Sequence, residues 1–431
     1  MKEIYEENRW YNVLHFLANR YIRGSFKKIR YNGMENIPRD GAVILSPNHC
    51  DALMDPLAVF AKDCKKMVFV ARADLFNKPK LAKVLTFLKI MPIHRIRDGF
   101  RNVLNSENTI EKSIEVLNNQ VPFCILPEGA HRPMHSLLPM GKGLARVAYG
   151  AYKRLEGKAH VYIVPTGCEY GDYFRYRSTL LVTFGKAMDV SAYIEEHPEK
   201  SEPEVLKDIR KFTAEAMKKD IVYIPDDDDY EAVWELCKLR SGSIPECRLE
   251  ERLRSNQQTA GKLAKLREEM PDKAKKLFEK AVGLAAARKK AKVSIHSTNT
   301  KHPLLSALWN TLKFLICLPF ALAWGIASLP AWAVAEKLAS GVKDRAFRNS
   351  FRCVTLFLVW TLLLLIEAIV LFCTLRWYLA LAAVVLLAPA PMLTYDFFEL
   401  SRRLASSWRY LFDSKLRKQK EALSNELNEA L

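Results

Sequence analysis

"AVILSPNHCDALMDP", residues 42–56, decides how the first half of the chain folds. Four apolar residues run without polar alternation into a polar turn. That is the pattern of a strand buried on both faces, which belongs in an α/β sheet with helices packed on it. The turn then sets His49 ahead of two acids, Asp51 and Asp55. A histidine with a carboxylate nearby is the minimum equipment for general-base catalysis, because the carboxylate fixes the tautomer while the other ring nitrogen takes a proton. Read singly, each has a plainer explanation: His49 as a histidine satisfied in a turn, Asp51 as the N-cap of the short segment that follows.

The strand pattern recurs in KMVFVA (66–71), VPFCIL (121–126), HVYIVP (160–165) and TLLVTF (179–184). Between these runs, 79–90, 106–120 and 143–155 carry helical periodicity. The fold expected over residues 31–200 is therefore an α/β domain with a mostly buried sheet, mixed or parallel, flanked by helices. Three polar clusters follow strands directly: NHCDALMD, PEGAHRP and PTGCEYGDYFRYRS. Crevices at the carboxyl ends of strands are the usual ligand sites of such sheets, so these clusters are expected to converge. No serine stands in a G-x-S-x-G elbow, which points to an external hydroxyl as nucleophile.

The rest of the chain reads differently. Residues 1–30 interrupt their apolar positions with Glu6, Glu7, Arg9 and Asn12, unlike a signal peptide, and form an expected amphipathic helix whose aromatic residues pack on the domain or lie in a headgroup layer. Residues 201–302 are a charged helical insert with an acidic knot at Asp226–Asp229 and a basic stretch ending in ARKKAK. Solvated helix faces account for both. Residues 314–335 contain 22 residues without a formal charge, 353–375 are apolar apart from Glu367, and 377–395 form a third apolar block. Each is near the length of about 20 residues that spans a bilayer as a helix.

Basic residues flank the first block on both sides and follow the third, whereas only Arg376 separates the second from the third. Positive-inside logic with Pro319, Gly325 and Pro330 predicts a re-entrant or hairpin element over 303–340, a transmembrane hairpin over 350–396 and a cytoplasmic amphipathic tail over 397–431. The catalytic domain is then cytoplasmic, at a bacterial inner membrane or, in a eukaryote, the endoplasmic reticulum.

The charge balance, 66 Lys+Arg against 48 Asp+Glu for a net +18, calls for a polyanionic partner. The basic runs adjoin apolar blocks of membrane length, so an anionic phospholipid membrane is expected and nucleic acid is not. The nine cysteines have no C-x-x-C pair and read as reduced thiols. His131 and His135 are four apart, but Pro133 between them argues against a helical metal site, so no metal is expected.

Taken in order, PNHCDALMDP, PIHR (92–95), ILPEGAHRPMHSLLPMGKG (125–143) and IVPTGCEYGDYFRYRSTLLVTFG (163–185) resemble the glycerolipid acyltransferase superfamily, most closely its glycerol-3-phosphate/dihydroxyacetone-phosphate branch, with lysophosphatidate acyltransferases as cousins. The resemblance covers roughly residues 30–190. It implies that His49 deprotonates an acceptor hydroxyl that attacks an acyl thioester directly, while Asp55 orients the histidine. Five residues separate His49 from Asp55 where the common pattern has four, and Asp51 remains a rival orienter. The resemblance further implies that Arg95, Glu128 and Gly129 bind the acceptor and its phosphate. His131 stands where the family's arginine usually does, so Arg132 and the displaced Lys142 enter as phosphate ligands, and Pro165 shapes the site. The implied donor is acyl-CoA or an acyl-carrier protein, the acceptor glycerol-3-phosphate, dihydroxyacetone phosphate or a lysophospholipid, with no cofactor. A non-catalytic membrane scaffold is the alternative from another class.

Overall fold

The computed structural model describes residues 4–6, 8–62, 67–93 and 102–431, with side chains from residue 107 in the last stretch. Two compact units divide the chain: Met1–Phe174 with Leu180–Ile221, and Arg175–Thr179 with Val222–Leu431.

The first unit runs α1 (Arg9–Gly24), β1 (Lys28–Asn32), β2 (Ala42–Pro47), α2 (Met54–Phe60), β3 (Val68–Arg72), α3 (Pro79–Phe87), β4 (Ile90–Ile93), α4 (Asn102–Asn118), β5 (Phe123–Cys124), α5 (Lys142–Leu155), β6 (Val161–Tyr170), β7 (Thr179–Phe184), β8 (Met188–Asp189), α6 (Val190–Glu196) and α7 (Glu202–Asp220). Its strands form one sheet in the order β1-β7-β6-β2-β5-β3-β4, with β8 also on β6. The sheet is mixed: β2 pairs in parallel with β5 and β6, β3 with β4 and β5, while β7 and β8 run antiparallel to β6. All six residues of β2 are buried, as its unbroken apolar run requires at the centre of a covered sheet.

Helices α4, α5 and α7 cover this sheet through Val116, Leu117, Leu144, Val147, Ala148, Val205 and Ile209. Residues 202–220 lie in the segment read as a charged insert. They belong to this core because Val205, Ile209, Thr213 and Met217 recur every four residues and make one buried face. The helical pattern over 79–90 also divides. The chain leaves α3 through Lys89 at φ +59° and resumes as β4, an edge strand in which Pro92 is tolerated.

The second unit is helical: α8 (Tyr230–Ser241), α9 (Leu249–Glu269), α10 (Pro271–Lys290), α11 (Ile295–Thr298), α12 (Pro303–Ser340), α13 (Ala346–Thr374), α14 (Trp377–Leu387), α15 (Ala390–Phe412) and α16 (Ser414–Ala430). Leu236, Leu263, Phe278 and Leu284 of α8 to α10 share a core with Leu416, Leu423 and Leu427 of α16. Two helices, α12 and α13, are long and apolar enough to cross a membrane, and the pair α14 and α15, bent by 47°, makes a possible third.

The re-entrant or hairpin element expected at 303–340 is not what forms: α12 is one helix of 38 residues with Pro319 and Pro330 inside it. Each proline removes one backbone hydrogen bond, and packing along the helix carries it through. Ala321, Ser328, Ala331, Ala335 and Ala339 make a buried small-residue face on which another helix approaches closely. The partner is α15, joined by Ser328 to Thr394 at 3.1 Å and by stacked Trp332 and Tyr395. The break falls instead in the third apolar block, at Ala388 and Pro389. There the indole N–H groups of Trp324, Trp360 and Trp332 donate to the carbonyls of Leu386, Ala388 and Pro391, satisfying backbone oxygens around the bend.

Candidate active site

The end of β2 and the start of α2 build the site. Asn48 closes the strand by donating its backbone N–H to Thr166 and exchanging side-chain hydrogen bonds with the backbone of Cys168, which pins the turn to β6. Ala52 takes a positive φ of 44°, and this tight turn brings the first residues of α2 back under His49. Asp55, in that first helical turn, is completely buried. Its Oδ2 accepts from His49 Nδ1 at 2.8 Å and from the backbone N–H groups of Cys50 at 2.8 Å and Asp51 at 2.9 Å. Its Oδ1 accepts from the Tyr170 hydroxyl at 2.7 Å. A buried carboxylate with four donors is fully compensated for its lost hydration.

This set of contacts fixes the imidazole. With Nδ1 donating to Asp55, Nε2 is the nitrogen free to take a proton, and the His49 side chain keeps 17% of its surface exposed. The carboxylate on the histidine is that of Asp55, while Asp51 contributes its backbone N–H to the same oxygen. Burial holds the Tyr170 hydroxyl well above its usual range, with the Asp55 charge acting in the same direction, so it stays protonated as a donor. Burial likewise raises the Cys50 thiol, and its sulfur accepts from Asn48 Nδ2, which removes it as a nucleophile.

The second cluster arrives from the turn after β5. Glu128 Oε1 accepts from the His49 backbone N–H and Oε2 from that of Leu138, both at 2.7 Å. Burial pushes the Glu128 carboxyl up to about 7 against the pull of these N–H groups and of His49. Gly129 follows at φ +64°, where a side chain would be strained, and the turn leads Arg132 to donate its backbone N–H to the His49 carbonyl at 3.0 Å. The ring of His131 lies 5.4 Å from that of His49, edge to face. The Arg132 guanidinium reaches Ser136 at 3.0 Å.

His49, Asp55, Asp51, Glu128, Gly129, His131 and Arg132 are thus drawn into one neighbourhood. Pro165 lies within β6, buried beside Ser46 of β2, and supports it from below. Lys142 opens α5 and is exposed. Arg95 lies outside the described residues. Arg177, from the block after β6, belongs to the second unit, where it holds Asp396 with two hydrogen bonds at 2.9 and 2.7 Å.

The sequence reading missed Asn48, Tyr170 and a second histidine–carboxylate pair. Buried His135 lies 3.1 Å from Glu169, with the Tyr173 hydroxyl also 3.1 Å from its Nδ1. The only signals were the polar clusters NHCDALMD, which holds Asn48, and PTGCEYGDYFRYRS, which holds Glu169, Tyr170 and Tyr173 and whose first half the structure builds into β6. That Tyr170 is the one to reach Asp55 depends on the pairing of β6 with β2.

Residues 28–169 match the family model described as Acyltransferase. They form an acyltransferase domain. The matched stretch is well under half of the chain and contains the described residues of the site except Tyr170 and Tyr173. The crystal structure of the 1-acyl-sn-glycerophosphate (LPA) acyltransferase PlsC from Thermotoga maritima is similar over 49% of this chain and 77% of that one, at 19% identity and a TM-score of 0.35. No curated protein matches the chain.

Proposed function

We propose that the chain is a membrane-bound O-acyltransferase that moves a fatty acyl group from an acyl-CoA or acyl-carrier thioester to the hydroxyl of glycerol-3-phosphate or a closely related acceptor such as dihydroxyacetone phosphate. The observation that carries this reading is the 2.8 Å contact between His49 Nδ1 and buried Asp55, inside an acyltransferase domain, with the other ring nitrogen left for a proton.

The acceptor hydroxyl gives its proton to His49 Nε2 as its oxygen attacks the thioester carbonyl. The C–O bond of the new ester forms, the C–S bond breaks, and the departing thiolate takes the proton back from the imidazolium. Asp55 stabilises that imidazolium across 2.8 Å, and Tyr170 with the two backbone N–H groups keeps the carboxylate from turning away. Glu128 holds the backbone of His49, and so sets where the ring stands. His131 and Arg132, with Arg95 and Lys142, offer cationic or donor groups for an acceptor phosphate. The domain faces the cytoplasm, where both thioester donors are found, and the acyl product leaves into the adjoining bilayer.

The test is acyl transfer by the purified chain, with labelled acyl-CoA and acyl-carrier donors against glycerol-3-phosphate, dihydroxyacetone phosphate and lysophosphatidate. Transfer to the first two supports the proposal. Transfer to lysophosphatidate alone keeps the chemistry and replaces the acceptor. No transfer to any, with His49→Ala indistinguishable from wild type in cells, favours the scaffold.

A further inference from the structure

Residues 125–141 join β5 to α5 without regular secondary structure, yet His135 and Ser136 in the middle of this connection are buried. A connecting loop runs over the surface and moves unless side chains tie it down. The tie here is polar. His135 Nδ1 lies 3.1 Å from Glu169 Oε1 and 3.1 Å from the Tyr173 hydroxyl, and the two rings of His135 and Tyr173 pack with centroids 4.9 Å apart. Glu169 stands at the end of β6, next to the Tyr170 that holds Asp55. One strand end thus supports both the carboxylate of the base and the middle of this loop.

The loop carries much of what the site presents to an acceptor. The His131 ring stands against that of His49, and Arg132 donates its backbone N–H to the His49 carbonyl and its guanidinium to buried Ser136. His135 follows Arg132 by three residues. At 3% exposure it meets no substrate, so it acts through the loop that it holds. The base has supports of its own, since Asp55 holds the His49 ring and Glu128 its backbone N–H. Loosening the loop therefore displaces His131 and Arg132 before it displaces the imidazole.

We infer that His135 is a positioning residue: held by Glu169 and Tyr173, it fixes the loop so that His131 and Arg132 stand ready for the phosphate of the acceptor. It sets acceptor affinity and leaves proton transfer to His49. This rests on the reading of the protein as an acyltransferase for a phosphate-bearing acceptor. Groups already ordered for an anion bind it without a further entropic cost, whereas a loosened loop must be ordered at each binding event. That cost falls on ground state and transition state alike, and so appears in KM and not in kcat.

The experiment follows the full chain in detergent as wild type, His135→Ala, His135→Asn and Glu169→Gln. It measures steady-state transfer to whichever of glycerol-3-phosphate, dihydroxyacetone phosphate and lysophosphatidate the wild type takes, and amide hydrogen exchange of residues 129–138 without substrate. His135→Ala is expected to raise the acceptor KM by about tenfold or more, the loss of a contact to a charged group, with kcat within about threefold and the donor KM unchanged. Exchange of 129–138 is expected to quicken while peptides of α5 stay protected, which shows that the domain is folded. Glu169→Gln is expected to shift both readings in the same direction. His135→Asn places an amide nitrogen where Nδ1 stood, with two hydrogens for Glu169 and Tyr173, and is expected to return KM and exchange towards wild type. A fall in kcat at constant KM, exchange of 129–138 as slow in His135→Ala as in wild type, or an Asn variant no better than Ala overturns the inference. Failure of the underlying reading looks different: a wild type that transfers to none of the three acceptors sinks the proposed function, and exchange then decides the pinning of the loop by itself.

Discussion

His49 depends on Asp55 for its tautomer, and the four donors on Asp55 leave that carboxylate no alternative rotamer at comparable energy. Asp55→Asn is expected to lower kcat by at least about 100-fold, since an amide does not enforce the required tautomer. Asp51→Asn keeps the backbone N–H that Asp51 lends to Asp55 and is expected to act far more mildly. Tyr170→Phe removes a hydrogen bond to a buried charge and is expected to cost about 10- to 100-fold in kcat with KM little changed. That split, measured by steady-state kinetics, separates positioning from binding. The choice between Asp51 and Asp55 was open in the sequence because both acids fall within reach of a turn. It was closed by the positive φ of Ala52, a local bend that no residue type at that position signals.

Glu128 carries a pH signature. Its carboxyl is raised to about 7 in the fold and returns to the ordinary value of 4.5 when unfolded. The folded state therefore holds the extra proton between those values. Stability falls as pH rises from about 4.5 to about 7 and no longer changes on this account above that window. Glu128→Gln cannot titrate, so its Tm is expected to show a flatter pH dependence than wild type from pH 5 to 7. An unchanged slope would contradict the assignment. The substitution also sets an amide N–H against one of two backbone N–H groups and is expected to reduce activity.

At the scale of elements, apolar runs announced β2 and β7 almost to the residue and the first half of β6, because strands covered on both faces admit few polar side chains, while β6 runs on to Tyr170 through residues read as a polar cluster. The two-residue β5 was legible for the same reason, whereas β4 begins on the last residue of a helical pattern and carries no apolar run long enough to announce a strand. Periodicity does not register a one-residue reversal such as that at Lys89. Prolines misled in the apolar region. Pro319 and Pro330 were read as breaks, yet the helix continues, because its buried small residues let α15 pack across both. Pro389 marks the real bend, where indole donors satisfy the carbonyls. Trp360→Phe removes one of these donors and is expected to destabilise the protein by about 1 kcal/mol, read as a lowered Tm in detergent.

On the scale of the molecule, α16 packs in one core with α8 and α10, while the Ser406 and Ser407 end of α15 bonds to Ser297 and Asn310. This packing predicts that the polar segments before α12 and after α15 stand on one side of the bilayer, with an even number of crossings between them, so that the bent pair α14 and α15 adds no third span to α12 and α13. Single cysteines at Ser294 and Ser424 are expected to react alike with an impermeant maleimide in sealed vesicles, and opposite labelling would contradict this.

The central claim is that His49, oriented by Asp55, is the base of an acyl transfer. Its most direct test is the rate of labelled acyl transfer from acyl-CoA and acyl-carrier donors in matched preparations of wild type, His49→Ala, Asp55→Asn and Asp51→Asn. Loss with His49→Ala and Asp55→Asn, and retention with Asp51→Asn, is the predicted result. Full activity in His49→Ala, with the protein folded and in the membrane, would contradict the account at its root.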